Sequence, residues 1–306
     1  MVKRYRNYMI LANDFLEQGR ESKALRAFQQ ALGFAETEKE RLDALYEIGD
    51  LYVQSGYYDK GREIFEEILA CTDKGPLRAG AYYGLAMIND FEEGDLDTSI
   101  AYYEKAVEMD GDYDRAWYYL GHAQWEKGRL HLAEMCFRKC LDLDPMDFVT
   151  ASDLGSLYEE QGDFETAKAL LTQSLRIAPN YARGLFNMGV VMGRLGHKEE
   201  ALRYYERSLE ERPHPHTYLN MSALFIERGD DEASLRICRE GMENFPDSVN
   251  LHYNAACSLV HLGREEEAYE ELLKAIAIVP EAREWAIHDE DLKDLCKEKG
   301  ARHDHH

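Results

Sequence analysis

Two cysteines and one histidine are the residues whose spacing best suits metal chemistry in this chain. Cys136 and Cys140 stand four residues apart, and His131 lies about one helical turn upstream. Thiolates and imidazoles at such spacing can hold a soft metal ion. The same spacing also suits two thiols on the packed face of a helix, where cysteine behaves as a small apolar residue. We favour this structural interpretation.

The remaining residues offer little catalytic chemistry. The sequence ends in His303-Asp304-His305-His306, which could bind a transition metal loosely, although a solvated tail is the simpler expectation. The chain contains no phosphate loop, G-x-S-x-G motif, H-E-x-x-H motif or dinucleotide fingerprint. We therefore expect a protein that is not an enzyme and that uses neither a cofactor nor a bound metal.

The charge balance disfavours several kinds of partner. The 306 residues include 36 lysines and arginines against 59 aspartates and glutamates, which gives a formal net charge of −23 at pH 7. So acidic a surface repels the phosphate backbone of nucleic acids and the anionic surface of membranes. We expect neither of them as a partner.

The cysteines and the apolar runs indicate a cellular compartment. Six cysteines are scattered along the chain without a short-spaced disulfide framework, which is typical of a reducing environment. The first 15 residues lack the apolar core of a secretory signal, and no apolar run approaches the roughly 20 residues of a membrane helix. Together these features predict a cytoplasmic protein.

Proline and glycine recur along the chain at a nearly constant interval. Five of the seven prolines are separated by 34, 34, 33 and 34 residues: Pro145, Pro179, Pro213, Pro246 and Pro280. A glycine series runs in parallel: Gly19, Gly56, Gly94, Gly128, Gly162, Gly196, Gly229 and Gly263. Glycine permits the turn past a helix end, and proline cannot continue a helix. Each interval is therefore predicted to hold a helix pair, and eight pairs are indicated.

Small and large residues stand at fixed distances from each turn glycine. Seven residues before it, or eight in the third unit, the residue is small: Ala12, Gly49, Ala86, Gly121, Gly155, Gly189, Ser222 and Ala256. Nine residues after it the residue is bulkier: Phe28, Phe65, Tyr103, Phe137, Leu171, Tyr205, Cys238 and Leu272. Because apolar residues otherwise recur every three or four positions, the units are helical, and we expect these small and large side chains to interlock.

The period and its motif resemble the tetratricopeptide repeat (TPR) family. The fourth unit carries the motif as Trp117-x₂-Leu120-Gly121, Gly128, Ala133-x₃-Phe137 and Pro145. The resemblance covers about residues 5–280 and implies an all-α fold, an α-solenoid whose antiparallel helix pairs coil into a right-handed superhelix. The eight repeats would span about 5–38, 42–75, 79–112, 114–147, 148–181, 182–214, 215–248 and 249–282. Capping helices are expected at 281–299 and a disordered tail at 300–306.

The resemblance also implies a concave groove that is lined by the first helix of each repeat and that binds an extended peptide. Position five of the repeat carries a large side chain in six units: Tyr46, Tyr83, Tyr118, Phe186, Leu219 and Tyr253. Rigid aromatic rings such as these, together with Trp125, would contact the side chains of a peptide. Packing of some of these rings against the adjacent repeat is an equally supported alternative.

Three asparagines follow at position six of consecutive repeats, namely Asn187, Asn220 and Asn254. A side-chain amide can donate to a peptide carbonyl and accept from a peptide N–H, so we expect these residues to hold an extended backbone. The first half of the groove is acidic, with Asp50 among its carboxylates and Arg115 and Arg183 as counter-charges. This half should attract a basic or basic-aromatic segment.

The function predicted from these features is that of a non-enzymatic scaffold or adaptor, which binds an extended segment of a protein partner in its groove. One alternative is a regulatory or sensory subunit that responds to a peptide. A metal-binding or catalytic protein is the less favoured alternative. The sequence names neither the partner nor the oligomeric state.

Overall fold

The computed structural model describes residues 2–73 and 75–297 of the chain, and these residues form helices joined by short turns, with no strand among them. The first eight helices are α1 (Val2–Glu17), α2 (Glu21–Gly33), α3 (Glu38–Gln54), α4 (Tyr58–Cys71), α5 (Gly75–Phe91), α6 (Leu96–Met109), α7 (Asp114–Glu126) and α8 (Leu130–Leu143). The next nine are α9 (Phe148–Glu160), α10 (Phe164–Ile177), α11 (Ala182–Arg194), α12 (Lys198–Glu211), α13 (Pro215–Glu227), α14 (Asp231–Asn244), α15 (Val249–His261), α16 (Glu265–Ile278) and α17 (Ala282–His288). Residues 293–297 are also helical. Within the described ranges, no helix has the length and apolar character needed to cross a membrane.

The chain forms two compact units, and the boundary between them lies between residues 150 and 151. In the first unit each odd-numbered helix packs against the even-numbered helix that follows it, from α1 with α2 to α7 with α8. The second unit repeats this arrangement, from α11 with α12 to α15 with α16. Every pair also contacts the next pair within its unit, for example α4 with α5 and α14 with α15. Each unit is therefore a tandem array of helix pairs.

The helix ends lie where the glycine and proline series predict them. Seven of the eight turn glycines have φ between 66° and 80°, the left-handed region that glycine adopts without steric cost. The five regularly spaced prolines each stand two residues after the end of α8, α10, α12, α14 or α16. The predicted punctuation is therefore confirmed for these turns.

The third pair departs from this pattern. Its left-handed residue is Glu93, with φ of 53°, and not Gly94. The side chain of Asn89 lies where a β-carbon on Gly94 would stand, and its Nδ2 donates to the carbonyl of Asp95 at 2.9 Å and to Ser99 Oγ at 2.8 Å. The one-residue insertion in this repeat therefore moves the turn by one position, and Gly94 is required for space.

The expected interlocking of small and large side chains is confirmed. A β-carbon on Gly49 would lie 3.0 Å from the ring of Phe65, and one on Gly121 would lie 2.7 Å from Phe137. Gly84, in the next helix pair, also lies against the ring of Phe65. Because Phe65 and Phe137 are almost fully buried, their rings fill the crossing between helices, and only small partners fit there.

The first helices of the second and third pairs begin before the predicted repeat boundaries at residues 42 and 79. Helix α3 begins at Glu38 because Thr37 caps it: the Thr37 hydroxyl accepts from the Glu40 amide, and the Glu40 carboxylate accepts from the Thr37 amide. Helix α5 begins at Gly75. The short stretches that the predicted bounds leave between these repeats, 39–41 and 76–78, are therefore helical.

The segment after α16 packs on the last helix pair. Ala282, Ala286, Leu292 and Leu295 are buried in the same apolar cluster as residues of α15 and α16. Trp285 is 46% exposed and contacts Tyr253 edge-on with ring centroids 6.2 Å apart. Trp285 is therefore not among the buried residues of this contact. We call residues 282–297 the cap segment. The predicted tail at 300–306 lies outside the described residues.

Candidate functional site

The first helices of neighbouring pairs lie side by side. Helix α3 contacts α5 in the first unit, and α13 contacts both α11 and α15 in the second unit. Each unit therefore presents one surface that is built from its first helices, which we call the first-helix face.

The three asparagines at position six occupy equivalent places on the second unit's first-helix face. Each is half-buried, and each donates from Nδ2 to a hydroxyl of an adjoining helix. Asn187 donates to Ser152 Oγ at 3.1 Å, Asn220 to Tyr205 OH at 3.3 Å and Asn254 to Ser222 Oγ at 2.8 Å. The amides are therefore held by the protein and do not hydrogen-bond one another.

The hydrogen bond to Ser222 fixes which atom of the Asn254 amide faces the protein. The hydroxyl of Ser222 already donates to the carbonyl of Leu219 at 2.9 Å, so it can only accept from Asn254. Asn254 must then direct its Nδ2 at Ser222, and its Oδ1 is left available. Among the described residues, none donates to Oδ1 of Asn187, Asn220 or Asn254. The face thus carries three amide oxygens as prearranged acceptors.

The other predicted residues of the second unit have different surroundings. Phe186 is half-buried and lies against Tyr205, with ring centroids 5.9 Å apart. Arg183 is exposed and pairs with the fully buried carboxylate of Asp153 at 2.7 Å. Tyr253 donates its hydroxyl to Asp289 Oδ2 at 3.0 Å, in the cap segment. The hydroxyl of Tyr253 is therefore engaged by the protein itself.

In the first unit, Tyr83 does not lie where a peptide could contact it. It is 2% exposed and surrounded by Tyr103, Tyr113 and Tyr119, with ring centroids 5.3 to 6.0 Å away. The predicted contact between Tyr83 and a peptide is therefore wrong for this structure, because the following helices cover its ring. Tyr83 instead packs against residues of the adjacent repeat, which is the alternative that the sequence left open.

Tyr46, Asp50 and Arg115 lie together on the first-helix face of the first unit. The hydroxyl of Tyr46 lies 3.3 Å from that of Tyr113, and the Arg115 guanidinium lies 5.3 Å from the ring centroid of Tyr83. Burial raises the pKa of the Asp50 carboxyl, while Arg115 and a hydrogen bond from Gln54 act to lower it. Arg115 and Gln54 thus compensate the negative charge of the half-buried Asp50 only in part.

Tyr118 and Trp125 belong to an aromatic group on α7 and α8. Tyr118 is in edge contact with His122 at 4.6 Å between ring centroids, and Trp125 is in edge contact with Phe137 at 6.1 Å. Both rings are half-buried, so part of each remains accessible. They can contribute contact area to a partner as well as to packing.

A cavity of about 380 Å³ opens between α1 and α3, with Leu77 of α5 at its edge. Tyr5, Met9, Ile10 and Tyr46 supply apolar walls, and Asp43 and Glu47 supply carboxylates. Tyr5 and Ile10 are not among the site residues predicted from the sequence. The i, i+4 spacing of Asp43 and Glu47 indicates that both carboxylates lie on one face of α3. The apolar residues opposite them could not be predicted from this spacing, because Tyr5, Met9 and Ile10 belong to α1.

The cysteines that could have bound a metal are packed residues. Burial raises the pKa of Cys136 and of Cys140 to about 12, so both stay protonated at neutral pH. Cys140 lies 3.6 Å from the carbonyl of Asp114, to which its thiol donates. The structural interpretation of this pair therefore fits its surroundings.

A second group of potential metal ligands joins α15 to the cap segment. Cys257, Asp289 and Asp291 have ligand atoms within 4.8 Å of one another. Both Asp289 oxygens already accept hydrogen bonds, from Tyr253 OH and from the Asp291 amide. Burial raises the pKa of the Cys257 thiol, as do the two carboxylates. These contacts account for the group without a metal ion.

Four family models match the chain, and all of them describe the tetratricopeptide repeat. They match residues 11–76, 90–128, 114–146 with 249–281, and 147–210. The BBSome complex member BBS4 of Bos taurus is 24% identical over 232 residues, which cover 74% of this chain and 43% of that protein. A TPR repeat-containing protein of Methanocaldococcus jannaschii is 21% identical, covering 91% of this chain and 53% of its own.

Among solved structures, the chain resembles one from the crystal structure of the APC/C hetero-tetramer Cut9-Hcn1. The TM-score is 0.63 at 17% identity, and the match covers 95% of this chain and 55% of that one. The chain thus spans about half the length of these relatives or less. The structural likeness establishes the helical repeat fold.

Proposed function

Because the chain belongs to the tetratricopeptide repeat family, whose members bind other proteins, we propose that it is a non-enzymatic scaffold carrying eight such repeats. Its partner contributes an extended segment, which lies on the first-helix face of the second unit. The bovine relative is named as a member of a complex, which supports a role in assembly with other proteins. The reducing interior of a cell suits its six free thiols.

The observation that carries this proposal is the set of three prearranged amide oxygens. An extended peptide presents backbone N–H groups that need acceptors, and it forms no hydrogen bonds within itself. Asn187, Asn220 and Asn254 offer one acceptor each, and their amides are already oriented by Ser152, Tyr205 and Ser222. Little side-chain entropy is then lost on binding. Contacts of this kind hold a backbone without selecting its side chains.

The test replaces the acceptors while leaving the fold intact. In a lysate of the organism that makes the protein, wild type and the triple variant Asn187→Ala, Asn220→Ala, Asn254→Ala are compared by quantitative affinity capture. The matched control is Asn7→Ala, Asn180→Ala, because both of these asparagines are exposed. Circular dichroism first establishes that all three proteins are equally helical.

We expect wild type and the control to enrich the same partner and the triple variant to lose at least about tenfold in capture. Each backbone hydrogen bond contributes about 0.5–1.5 kcal/mol, so three of them exceed that threshold. Equal capture by the triple variant and the control would show that these asparagines do not hold the partner.

A further inference from the structure

We propose that the cavity between α1 and α3 binds an arginine side chain of an extended segment of the partner, together with an apolar residue next to it. This inference deepens the proposed function, on which it rests for the extended form of the partner. It concerns the first unit alone, whereas the three asparagines lie in the second. The two sites can therefore be tested separately.

The carboxylates in and beside the cavity favour a cationic ligand. Glu47 lines it, is half-buried, and forms neither a hydrogen bond nor an ion pair with any of the described residues. Asp50 stands one turn further along α3 and, among the described residues, accepts a hydrogen bond only from the neutral amide of Gln54, at 2.7 Å. Arg115 compensates Asp50 only in part. A half-buried carboxylate without full compensation is costly, and a guanidinium ion that enters the cavity would reduce that cost.

The pKa values in the cavity agree with this arrangement. Burial raises the pKa of Glu47, and the negative charges of Asp50 and Asp43 raise it further. The pKa of Tyr5 is raised to about 12 by burial and by the charges of Asp43, Glu40 and Glu47. Burial is the largest cause of both shifts, and the neighbouring carboxylates add to it.

Among the described residues, two arginines near the cavity, Arg6 and Arg115, leave Glu47 without an ion pair. Arg6 lines it from α1, but it is exposed and forms no ion pair with any described residue. Arg115 lowers the pKa of Asp50, yet its guanidinium lies over the ring of Tyr83. Arg6 therefore repels an incoming arginine, and its removal should strengthen binding.

The walls of the cavity favour arginine with an apolar neighbour. Met9, Leu77 and the ring of Tyr46 line it, and Ile10 at its rim is 51% exposed. The Tyr46 ring is held in place, because it lies directly against Gly80 and its hydroxyl approaches that of Tyr113. A planar guanidinium can stack on such a ring while it hydrogen-bonds to carboxylates, which a lysine ammonium cannot match.

The experiment uses a defined probe, and its control variant changes the net charge as much as the site variant does. Fluorescence anisotropy compares labelled Gly-Ser-Leu-Arg-Leu-Ser-Gly with the same peptide carrying the neutral isostere citrulline in place of arginine. The proteins are wild type, Glu47→Gln with Asp50→Asn, Arg6→Ala and a control, Glu63→Gln with Glu66→Gln. Glu63 and Glu66 are exposed on α4, so the control removes the same charge elsewhere.

We expect the arginine peptide to bind wild type at least about tenfold more tightly than the citrulline peptide, and to weaken as salt is added. The site variant should lose that preference, the control should keep it, and Arg6→Ala should bind more tightly than wild type. Equal affinity for the two peptides, equal losses in the site variant and the control, or no binding at about 1 mM protein would overturn the proposal.

A parallel arm separates this site from the proposed function. The triple asparagine variant should bind the arginine peptide as wild type does, because its changes lie in the second unit. If the partner from the lysate is lost by that variant but not by Glu47→Gln with Asp50→Asn, the scaffold proposal stands and the arginine site is wrong. The reverse result would show that the asparagines do not hold the partner, and it would support the arginine site.

Discussion

The close crossing of helices α11 and α12 gives a quantitative prediction for two glycines of one helix. A β-carbon on Gly189 would lie 2.5 Å from Cε1 and 2.6 Å from Cδ1 of Tyr205. The ring cannot move aside easily, because Tyr205 is 3% exposed and its hydroxyl accepts from Asn220. A β-carbon on Gly193, in the same helix, would have no heavy atom within 4 Å.

The two alanine variants should therefore differ in their effect on the stability of this helix pair. Alanine in place of glycine favours a helix by up to about 1 kcal/mol, a gain that is available to both variants. Overpacking of a buried contact costs about 1–3 kcal/mol, a cost that falls on Gly189→Ala alone. We expect Gly193→Ala to stabilise its helix and Gly189→Ala to be about 1–3 kcal/mol less stable than Gly193→Ala.

Hydrogen exchange measured by mass spectrometry on peptides from α11 and α12 is the appropriate assay, because repeat proteins open locally. It gives the free energy of opening for this helix pair in each variant. If Gly189→Ala opens no more readily than Gly193→Ala, the ring of Tyr205 does not fill the crossing and the packing argument is refuted.

His261 and the cysteines provide two further tests. Hydrogen bonds to Asp231 and Asp291 raise the pKa of His261, so its support for the cap segment is complete below the pKa of the unfolded chain and is lost as pH rises through the folded pKa. Exchange of residues 282–297, corrected for intrinsic rates, should show easier opening at about pH 9 than at about pH 6, and His261→Gln should abolish this difference. A thiol reagent at neutral pH should modify the exposed Cys71 and spare Cys136 and Cys140 until the chain unfolds, because burial raises the pKa of these two thiols to about 12. Modification of Cys136 in the native protein would contradict that account.

The features of the fold that depend on neighbours within one helix pair were predictable from the sequence. A proline two residues past a helix, or a glycine in the left-handed region, acts within a few residues, so its effect is visible in the spacing. The interlocking of Gly121 with Phe137 also repeats at a fixed distance along the chain. Periodicity carries this information because every pair meets the same packing requirement.

The surroundings of the site residues were less predictable, because they depend on which helices cover them. Tyr46 and Tyr83 share one position of the repeat, yet Tyr83 is covered by three tyrosines that follow it in the chain while Tyr46 lines a cavity. The hydroxyl that orients Asn220 comes from Tyr205, fifteen residues earlier and on another helix. Such contacts arise from side chains that the repeat pattern leaves variable.

The measurement that tests the central claim most directly is site-specific photocrosslinking at two aromatic positions in adjoining helices. A benzoylphenylalanine replaces either Phe186 on α11, in the first-helix face, or Tyr204 on α12, beside Arg203 and Arg207. Both native rings are half-buried, so the two probes have similar access to solvent. The account predicts a crosslink to the captured partner from position 186 and none from position 204. A crosslink from position 204 alone would place the partner on the second helices and contradict the account.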